Sequence, residues 1–171
     1  GTTLGALYGG TPTGGSQARV ENWNGTSWTA GTAMGSGSSN MNAAGVVPNA
    51  ALIFGGNSPV TGVTQLWNGS SWATVNSLNN NRGDGAGSGV STNALYAGGG
   101  PGNNTNTETW DGTCWSANPG VLSTARSGIP NTLTSATNSS TLVAGGSGPP
   151  GGNAVEEWTG PGATTQTITV T

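Results

Sequence analysis

Four glycine pairs recur along the chain at intervals of 46, 43 and 47 residues. Each pair closes a short apolar run and is followed, 12 to 14 residues after its first glycine, by a tryptophan. The pairs are Gly9-Gly10, Gly55-Gly56, Gly98-Gly99 and Gly145-Gly146. Self-similarity at a period of about 40–50 residues is typical of an array of one supersecondary unit. A residue that recurs in every copy is therefore expected to build the repeat rather than to perform chemistry.

The tryptophans form a second repeated motif. Its copies are Trp23-Asn-Gly-Thr-Ser-Trp28, Trp67-Asn-Gly-Ser-Ser-Trp72 and Trp110-Asp-Gly-Thr-Cys-Trp115, and a fourth copy at Trp158 lacks the second tryptophan. Asn-Gly and Asp-Gly between alternating residues indicate a hairpin with a two-residue type I′ turn. Such a turn places Trp23 opposite Thr26 and Glu21 opposite Trp28, with Glu21 and both indoles on one face. A longer turn would shift this pairing by one residue.

Each repeat is predicted to contain four short strands. Met34, Leu78 and Leu122 stand 44 residues apart, and Arg82 and Arg126 each follow their leucine by four positions, where the first copy has a serine. The first strand follows the arginine position, the second ends in the glycine pair, the third leads into the first tryptophan and the fourth begins at the second tryptophan. Helical periodicity is absent, because glycine interrupts every window.

The glycine pair after a hydrophobic strand, followed by a tryptophan, resembles the kelch repeat over roughly residues 4–158. The Trp-Asn-Gly-Thr-Ser-Trp hairpin and the low charge more closely resemble the kelch-like arrays of virion and tail-fibre proteins of marine bacteriophages. The resemblance implies an all-β fold, a kelch-like β-propeller of four four-stranded repeats. The predicted repeats are residues 1–34, 35–78, 79–122 and 123–163, with 164–171 as a closing or connecting strand.

Composition limits the functional classes. Charged residues make up 5% of the 171 residues, and lysine is absent. With three arginines and a net charge of −3, the chain lacks the basic face that nucleic-acid binding requires. No run of 18 apolar residues occurs, so membrane insertion is not expected. Disordered chains are typically highly charged and poor in aromatics, so seven evenly placed tryptophans favour a packed core. The surface of Thr, Ser, Asn and Gly suggests an extracellular or virion-borne protein.

Catalytic and cofactor chemistry finds little support. Histidine is absent, which removes the commonest general base and metal ligand. The histidine ligands of copper-radical oxidases built on kelch-like propellers are therefore missing. Zinc is equally unsupported, because Cys114 is the single cysteine and replaces Ser27 and Ser71 of the other copies. We expect no cofactor, no metal and no enzymatic activity.

The carboxylates stand at repeated positions of the motif, with the exception of Asp84, which is placed outside a repeated slot. Glu21, Glu108 and Glu156, with Gln65 in the second copy, stand two residues before the first tryptophan. The glutamine favours a structural role, since hydrogen bonding survives the exchange and ionisation does not. The hairpin is similar to that of sialidase propellers, but tryptophans occupy their aspartate position and no arginine triad is recognisable.

Arg82, Arg126 and Asp84 are the candidate ligand or partner contacts. The arginines could line one rim and bind an acidic sugar or a partner carboxylate. The alternative, which we prefer, is that each arginine bonds strand-end carbonyls or the glutamate of its repeat. The remaining repeated residues are assigned to structure, as packing between sheets rather than sugar-stacking platforms. They are Glu21, Trp23, Trp28, Gln65, Trp67, Trp72, Glu108, Trp110, Trp115, Glu156 and Trp158.

A count of strands predicts an unpaired edge. The first repeat starts at its second strand, and the last repeat has three strands plus the tail 164–171, whose β-branched residues alternate. The tail either completes the last blade or returns to the first, and a neighbouring subunit or a preceding part of the chain supplies the missing strand. An open strand edge is a template for such pairing. The candidate assembly strand comprises Thr167, Ile168, Thr169 and Val170.

These observations predict a non-catalytic structural or adhesive module of an extracellular or virion assembly, such as a phage fibre, tail or decoration protein. Its expected partners are other copies of itself or other structural proteins. A carbohydrate-binding module for host attachment is the alternative function, and a glycan-active enzyme is the third.

Overall fold

The computed structural model describes residues 5–8, 17–130, 138–148, 152–160 and 166–167. These ranges contain strands and no helix, so none of their segments is a helix able to span a membrane. The strands are β1 (Gly5–Tyr8), β2 (Val20–Trp23), β3 (Trp28–Ala30), β4 (Asn42–Val47), β5 (Ala50–Phe54), β6 (Thr64–Trp67), β7 (Trp72–Val75), β8 (Ala86–Val90), β9 (Asn93–Ala97), β10 (Thr107–Trp110), β11 (Trp115–Asn118), β12 (Thr141–Ala144), β13 (Val155–Trp158) and β14 (Gln166–Thr167). The expected all-β class is confirmed.

The strands form four antiparallel sheets, each made of neighbours in sequence. The first sheet contains β1–β3, the second β4–β7, the third β8–β11 and the fourth β12–β14. The second and third sheets have the four strands expected of a repeat. The first sheet begins at the strand that ends in a glycine pair, as the strand count predicted.

The strands of the second and third sheets alternate their side chains between the two neighbouring sheets. In β5, Ile53 points toward the first sheet, whereas Leu52 and Phe54 point toward the third. We call the face that meets the preceding sheet the leading face and the opposite face the trailing face. Both faces of the second and third sheets are buried, which explains why their second strands are nearly continuous apolar runs.

Three apolar clusters fill the spaces between successive sheets. The first joint contains Val20, Met34 and Ile53, with Trp72 packed against them. The second joint is centred on Leu52, Phe54, Tyr96, Trp110 and Trp115, and the third on Leu95, Leu122, Val143 and Trp158. Met34, Leu78 and Leu122 are thus the connecting-loop residues that complete each cluster.

The first strands of the second and third sheets approach each other closely. A Cβ atom on Gly87 of β8 would lie 3.1 Å from the carbonyl oxygen of Ala43 in β4 and 3.0 Å from Phe54 Cζ. Any larger residue would push the two strands apart. The Gly/Ser/Ala-rich composition of these stretches therefore follows from close strand packing.

The turn between the tryptophans differs from the two-residue turn that Asn-Gly favours. Trp23 pairs with Trp28, so the loop holds four residues, and the other two copies repeat this register. The side-chain oxygen of Asn24 accepts hydrogen bonds from the backbone N–H groups of Thr26 and Ser27, both at 2.9 Å. This Asx interaction replaces the type I′ turn and puts the paired indoles opposite each other, 5.4 Å apart.

Candidate functional site

The repeated Glu or Gln side chain fixes the loop that enters its own sheet. Gln65 Oε1 accepts from the N–H of Gly35 at 2.7 Å, while its Nε2 donates to the carbonyl of Ser36 at 2.8 Å. At the equivalent positions Glu108 accepts from the N–H of Asn79 at 2.8 Å, and Glu156 from that of Ser123 at 2.6 Å. Each donor directly follows Met34, Leu78 or Leu122. The polar contact therefore sits beside the apolar cluster of the same joint.

Arg82 connects two successive glycine pairs. Its carbonyl accepts from Gly56 N–H of the second sheet at 3.0 Å, and its Nε donates to the Gly98 carbonyl of the third sheet at 2.9 Å. Its guanidinium forms a buried ion pair with Glu108 and lies 4.5 Å from the centre of the Tyr96 ring. The charge is thus surrounded by a carboxylate, carbonyls and an aromatic face.

Arg126 repeats this arrangement one sheet later. Its carbonyl accepts from Gly99 N–H at 2.9 Å, and its Nη1 donates to the carbonyls of Ala154 at 2.8 Å and Gly145 at 3.4 Å. Nη2 forms an ion pair with Glu156. The interpretation that the arginines line a ligand-binding rim is wrong, because Arg82 and Arg126 are buried and already paired. The alternative, bonds to strand-end carbonyls and the repeat's glutamate, is what the geometry shows.

The first joint is an uncharged version of the same contact. Ser38 stands at the arginine position and donates to the Pro59 carbonyl at 2.8 Å, and Gln65 stands at the glutamate position. Both members of the ion pair are therefore replaced together. Keeping either charge alone would leave it buried without a counter-ion.

Tyr96 is the titratable group most affected by burial in the second joint. Its hydroxyl accepts from Gly85 N–H at 3.2 Å and from the Asn42 side-chain amide at 3.3 Å. Burial raises the pKa of the phenol well above its usual value, and the neighbouring Arg82 charge opposes that shift. The phenol is consequently a neutral structural group and not an acid or base near pH 7.

In the second, third and fourth copies of the motif, the first tryptophan anchors a turn of its own sheet. The indole N–H groups of Trp67, Trp110 and Trp158 donate to backbone carbonyls 19 or 20 residues upstream, at 2.9–3.1 Å. The second tryptophan instead contacts the preceding sheet. Trp72 donates to the Thr32 carbonyl and Trp115 to the Thr64 hydroxyl, each at 2.9 Å. Sequence reasoning assigned both tryptophans to packing but did not separate these two roles.

The first sheet is the exception to this pattern. Its leading face carries Glu21, Trp23 and Trp28. Glu21 is exposed and Trp23 is half-buried, while the Trp28 side chain is 51% exposed. The corresponding Trp115 is only 5% exposed. The residue types of a joint are therefore present at this face, and none of the described sheets covers them.

Asp84 is a turn residue with positive φ. Its φ of 59° matches those of Asn40 at 54° and Gly128 at 60°, which stand 44 residues before and after it. Asn, Asp and Gly are the residues that tolerate this conformation. The Asp84 carboxylate accepts a hydrogen bond from the Asn57 amide. The spacing of Asn40, Asp84 and Gly128 was a sequence signal for this turn, and it places Asp84 in a repeated slot after all.

Asp111 repeats the Asx interaction of the hairpin loops. Hydrogen bonds from the N–H of Cys114 and then of Thr113, both at 2.8 Å, lower the pKa of this exposed carboxyl group. The Cys114 thiol lies 3.6 Å from the second carboxylate oxygen. This acid therefore serves the turn.

The candidate assembly strand lies partly outside the described residues. Thr167 belongs to β14, which pairs with β13 in the register Glu156–Thr167 and Glu157–Gln166. Of the two predicted destinations of the tail, these residues take the fourth-strand place of the last sheet. Ile168, Thr169 and Val170 lie outside the described residues.

The buried carboxylates bind groups within the protein. Within the described ranges, no group of three acids or cysteines is placed to hold a metal ion. Glu108 and Glu156 are buried and occupied by backbone donors and arginines. A general acid or base needs access to its substrate, which these carboxylates lack.

Comparison with known proteins identifies the fold alone. No protein-family profile matches the chain, and no curated protein matches it. Among solved structures it is similar to YjhT, with a TM-score of 0.71 and 13% identity. The match covers 90% of this chain and 53% of YjhT, so this chain spans about half the length of that protein.

Proposed function

We propose that this chain is a non-catalytic structural or adhesive module of an extracellular or virion assembly. The observation that carries the proposal is how the repeated polar residues are used. Arg82 and Arg126 link successive sheets, and Gln65, Glu108 and Glu156 fix the loops that connect them. The chemistry repeated along the sequence thus serves cohesion of the array.

The same proposal includes the arrangement of the four sheets relative to a known repeat architecture. Four successive antiparallel sheets, three of which carry a tryptophan hairpin, are what a kelch-like β-propeller of four repeats would contain. The repeats are 1–34, 35–78, 79–122 and 123–163. In this arrangement β14, within the tail 164–171, takes the fourth-strand place of the last repeat.

A virion or extracellular location fits the same surface. Two of the three arginines are buried in ion pairs, so the outside carries very few charges. Its partners would be other copies of this chain or other structural proteins.

The carbohydrate-binding alternative needs two or more indoles in one open groove. Of the seven tryptophans, Trp28 alone is exposed, whereas Trp110, Trp115 and Trp158 are buried. Stacking platforms in sugar-binding sites require accessible rings, so this distribution favours the structural role.

Antibodies raised against the recombinant chain test the location and role. We expect these antibodies to label intact virions or extracellular fibres of the organism or virus that produces this chain. Labelling confined to the cell interior would contradict the proposal. A parallel screen against a glycan array and glycoside substrates is expected to give no turnover. Hydrolysis that is abolished by Glu108→Gln in a folded protein would establish an enzyme instead.

A further inference from the structure

The joints within the chain show what a leading face normally contacts. At the second joint, Trp115 packs edge-on against Phe54 of the preceding sheet with ring centres 4.8 Å apart, and its N–H reaches Thr64 there. At the first joint, Trp72 packs with Val20 and Met34. A leading tryptophan is therefore covered in both cases by the trailing face of another sheet.

Within the part of the chain that the structure describes, no sheet covers the leading face of the first sheet. Trp28 is tilted against its neighbour Trp23 at 5.4 Å, and half of its side chain remains accessible. Removing the exposed part of an indole from water is favourable, because an indole carries a large apolar surface. This face therefore retains an unused capacity to bind a sheet of the same kind.

The trailing face of the fourth sheet is less buried than the trailing faces of the second and third sheets. Leu52 and Leu95, on the trailing faces of the second and third sheets, are at most 1% exposed, whereas the equivalent Leu142 is half-buried. Ala144 is likewise half-buried, although the equivalent Ala97 is only 2% exposed. Among the described residues, no other sheet packs against the leading face of the first sheet or the trailing face of the fourth.

We propose that the leading face of the first sheet, centred on Trp28, binds the trailing face of the fourth sheet of a second copy of this chain. The contact repeats between chains the joint that connects sheets within one chain. It is heterologous, because different faces of the two copies meet, and it therefore produces a ring or a filament. The proposal rests on the structural role proposed above and names its partner.

Two single variants and their mixture test the proposal by sedimentation velocity across a concentration series. The wild type is expected to exceed the 16.6 kDa of one chain and to grow with concentration. Trp28→Ser disrupts the leading face of the first sheet, and Leu142→Glu disrupts the trailing face of the fourth. Each variant alone is therefore expected to stay at the mass of one chain. Central aromatic contacts typically carry at least a 30-fold effect, so Trp28→Ser should weaken association by about that factor or more.

The mixture distinguishes head-to-tail contact from any symmetric one. Trp28→Ser retains the trailing face and Leu142→Glu retains the leading face, so together they should form a 1:1 dimer. Val47→Ser is the matched control, because Val47 is 49% exposed at a hairpin away from both faces and should leave association unchanged. Circular dichroism establishes that each variant is folded, and Ala144→Glu replaces Leu142→Glu if the latter does not fold.

Three results would overturn the proposal. They are a wild type that stays monomeric, a Trp28→Ser protein that associates like the wild type, and two folded variants that fail to combine. A monomeric wild type leaves the structural role standing, because a module can join an assembly through other proteins. That role is tested separately by antibody labelling.

Discussion

At the residue scale, the buried Arg–Glu pairs explain why arginine and glutamate recur together in the second and third joints and why both are absent from the first. Arg82 with Glu108 and Arg126 with Glu156 are buried and hydrogen-bonded. The first joint has Ser38 and Gln65 at these positions, so charge is removed from both partners together. A buried ion pair tolerates joint replacement far better than loss of one member.

This difference predicts the outcome of a double-mutant cycle. Glu108→Gln leaves Arg82 buried without a counter-ion and should destabilise the protein by about 3–5 kcal/mol. Combining it with Arg82→Ser recreates the uncharged first joint, so the double variant should lose less than the sum of the single variants. Urea unfolding measures all four free energies. Additive losses would show that the two side chains act independently.

Tyr96 predicts how stability changes in alkali. Its pKa is raised by burial, so above about pH 10 the unfolded chain releases the phenolic proton while the folded protein retains it. The unfolded state then binds fewer protons, and stability falls as pH rises. Lysine is absent, so few other groups titrate there. Tyr96→Phe should flatten this decline in urea unfolding, whereas Tyr8→Phe reports the contribution of the remaining tyrosine. An equally steep decline in Tyr96→Phe would contradict the assignment.

At the element scale, the tryptophan hairpin is the most regular unit. All three copies share the four-residue loop, the Asx hydrogen bonds and a glycine with φ between 97° and 99°. A side chain in this conformation is strained, whereas Asn and Asp are interchangeable one position earlier because both offer the same accepting oxygen.

Two adjacent substitutions in the third hairpin are expected to differ in their effect on the free energy of unfolding. Gly112→Ala should cost about 1–2 kcal/mol, since φ is 97° and the new Cβ would lie 3.2 Å from the Thr92 carbonyl. Asp111→Asn should leave stability at neutral pH unchanged. In acid the wild-type carboxylate protonates and its support of the turn is lost as pH falls through its lowered pKa, whereas the Asn variant does not show this change. Urea unfolding at both pH values compares them, and a larger loss for Asp111→Asn than for Gly112→Ala would refute the turn geometry.

The elements that could be predicted are those with a repeated apolar or turn signal. The apolar run Leu52–Phe54 and its copies predict the strands that end at the glycine pairs. Thr107–Trp110 and its copies predict the strands that end at the first tryptophans. The shortness of these runs also predicts the absence of helix. The turn length could not be predicted, because Asn-Gly also fits a four-residue loop closed by the asparagine side chain. Burial of Arg82 was one of two interpretations, the other being a ligand-binding rim. Sequence alone does not show that Glu108 and Gly98 both contact this side chain.

At the scale of the whole molecule, stability depends on contact between successive sheets. Each apolar cluster draws residues from two sheets and the loop between them, so no sheet is buried on its own. An array of this kind buries its interior faces and leaves its terminal faces open unless something caps them. Trp28 on the first sheet and Leu142 on the fourth lie on those terminal faces.

The most direct test of this account is peptide-resolved oxidation of the seven tryptophans in dilute native protein, followed by mass spectrometry. Tryptophans that form joints should be protected, whereas Trp28, the exposed tryptophan of the first sheet, should react. We therefore expect Trp28 to be oxidised first and Trp110, Trp115 and Trp158 to remain largely intact until the protein unfolds. Oxidation of Trp110 and Trp115 as fast as Trp28 would contradict the claim that the tryptophans hold the sheets together.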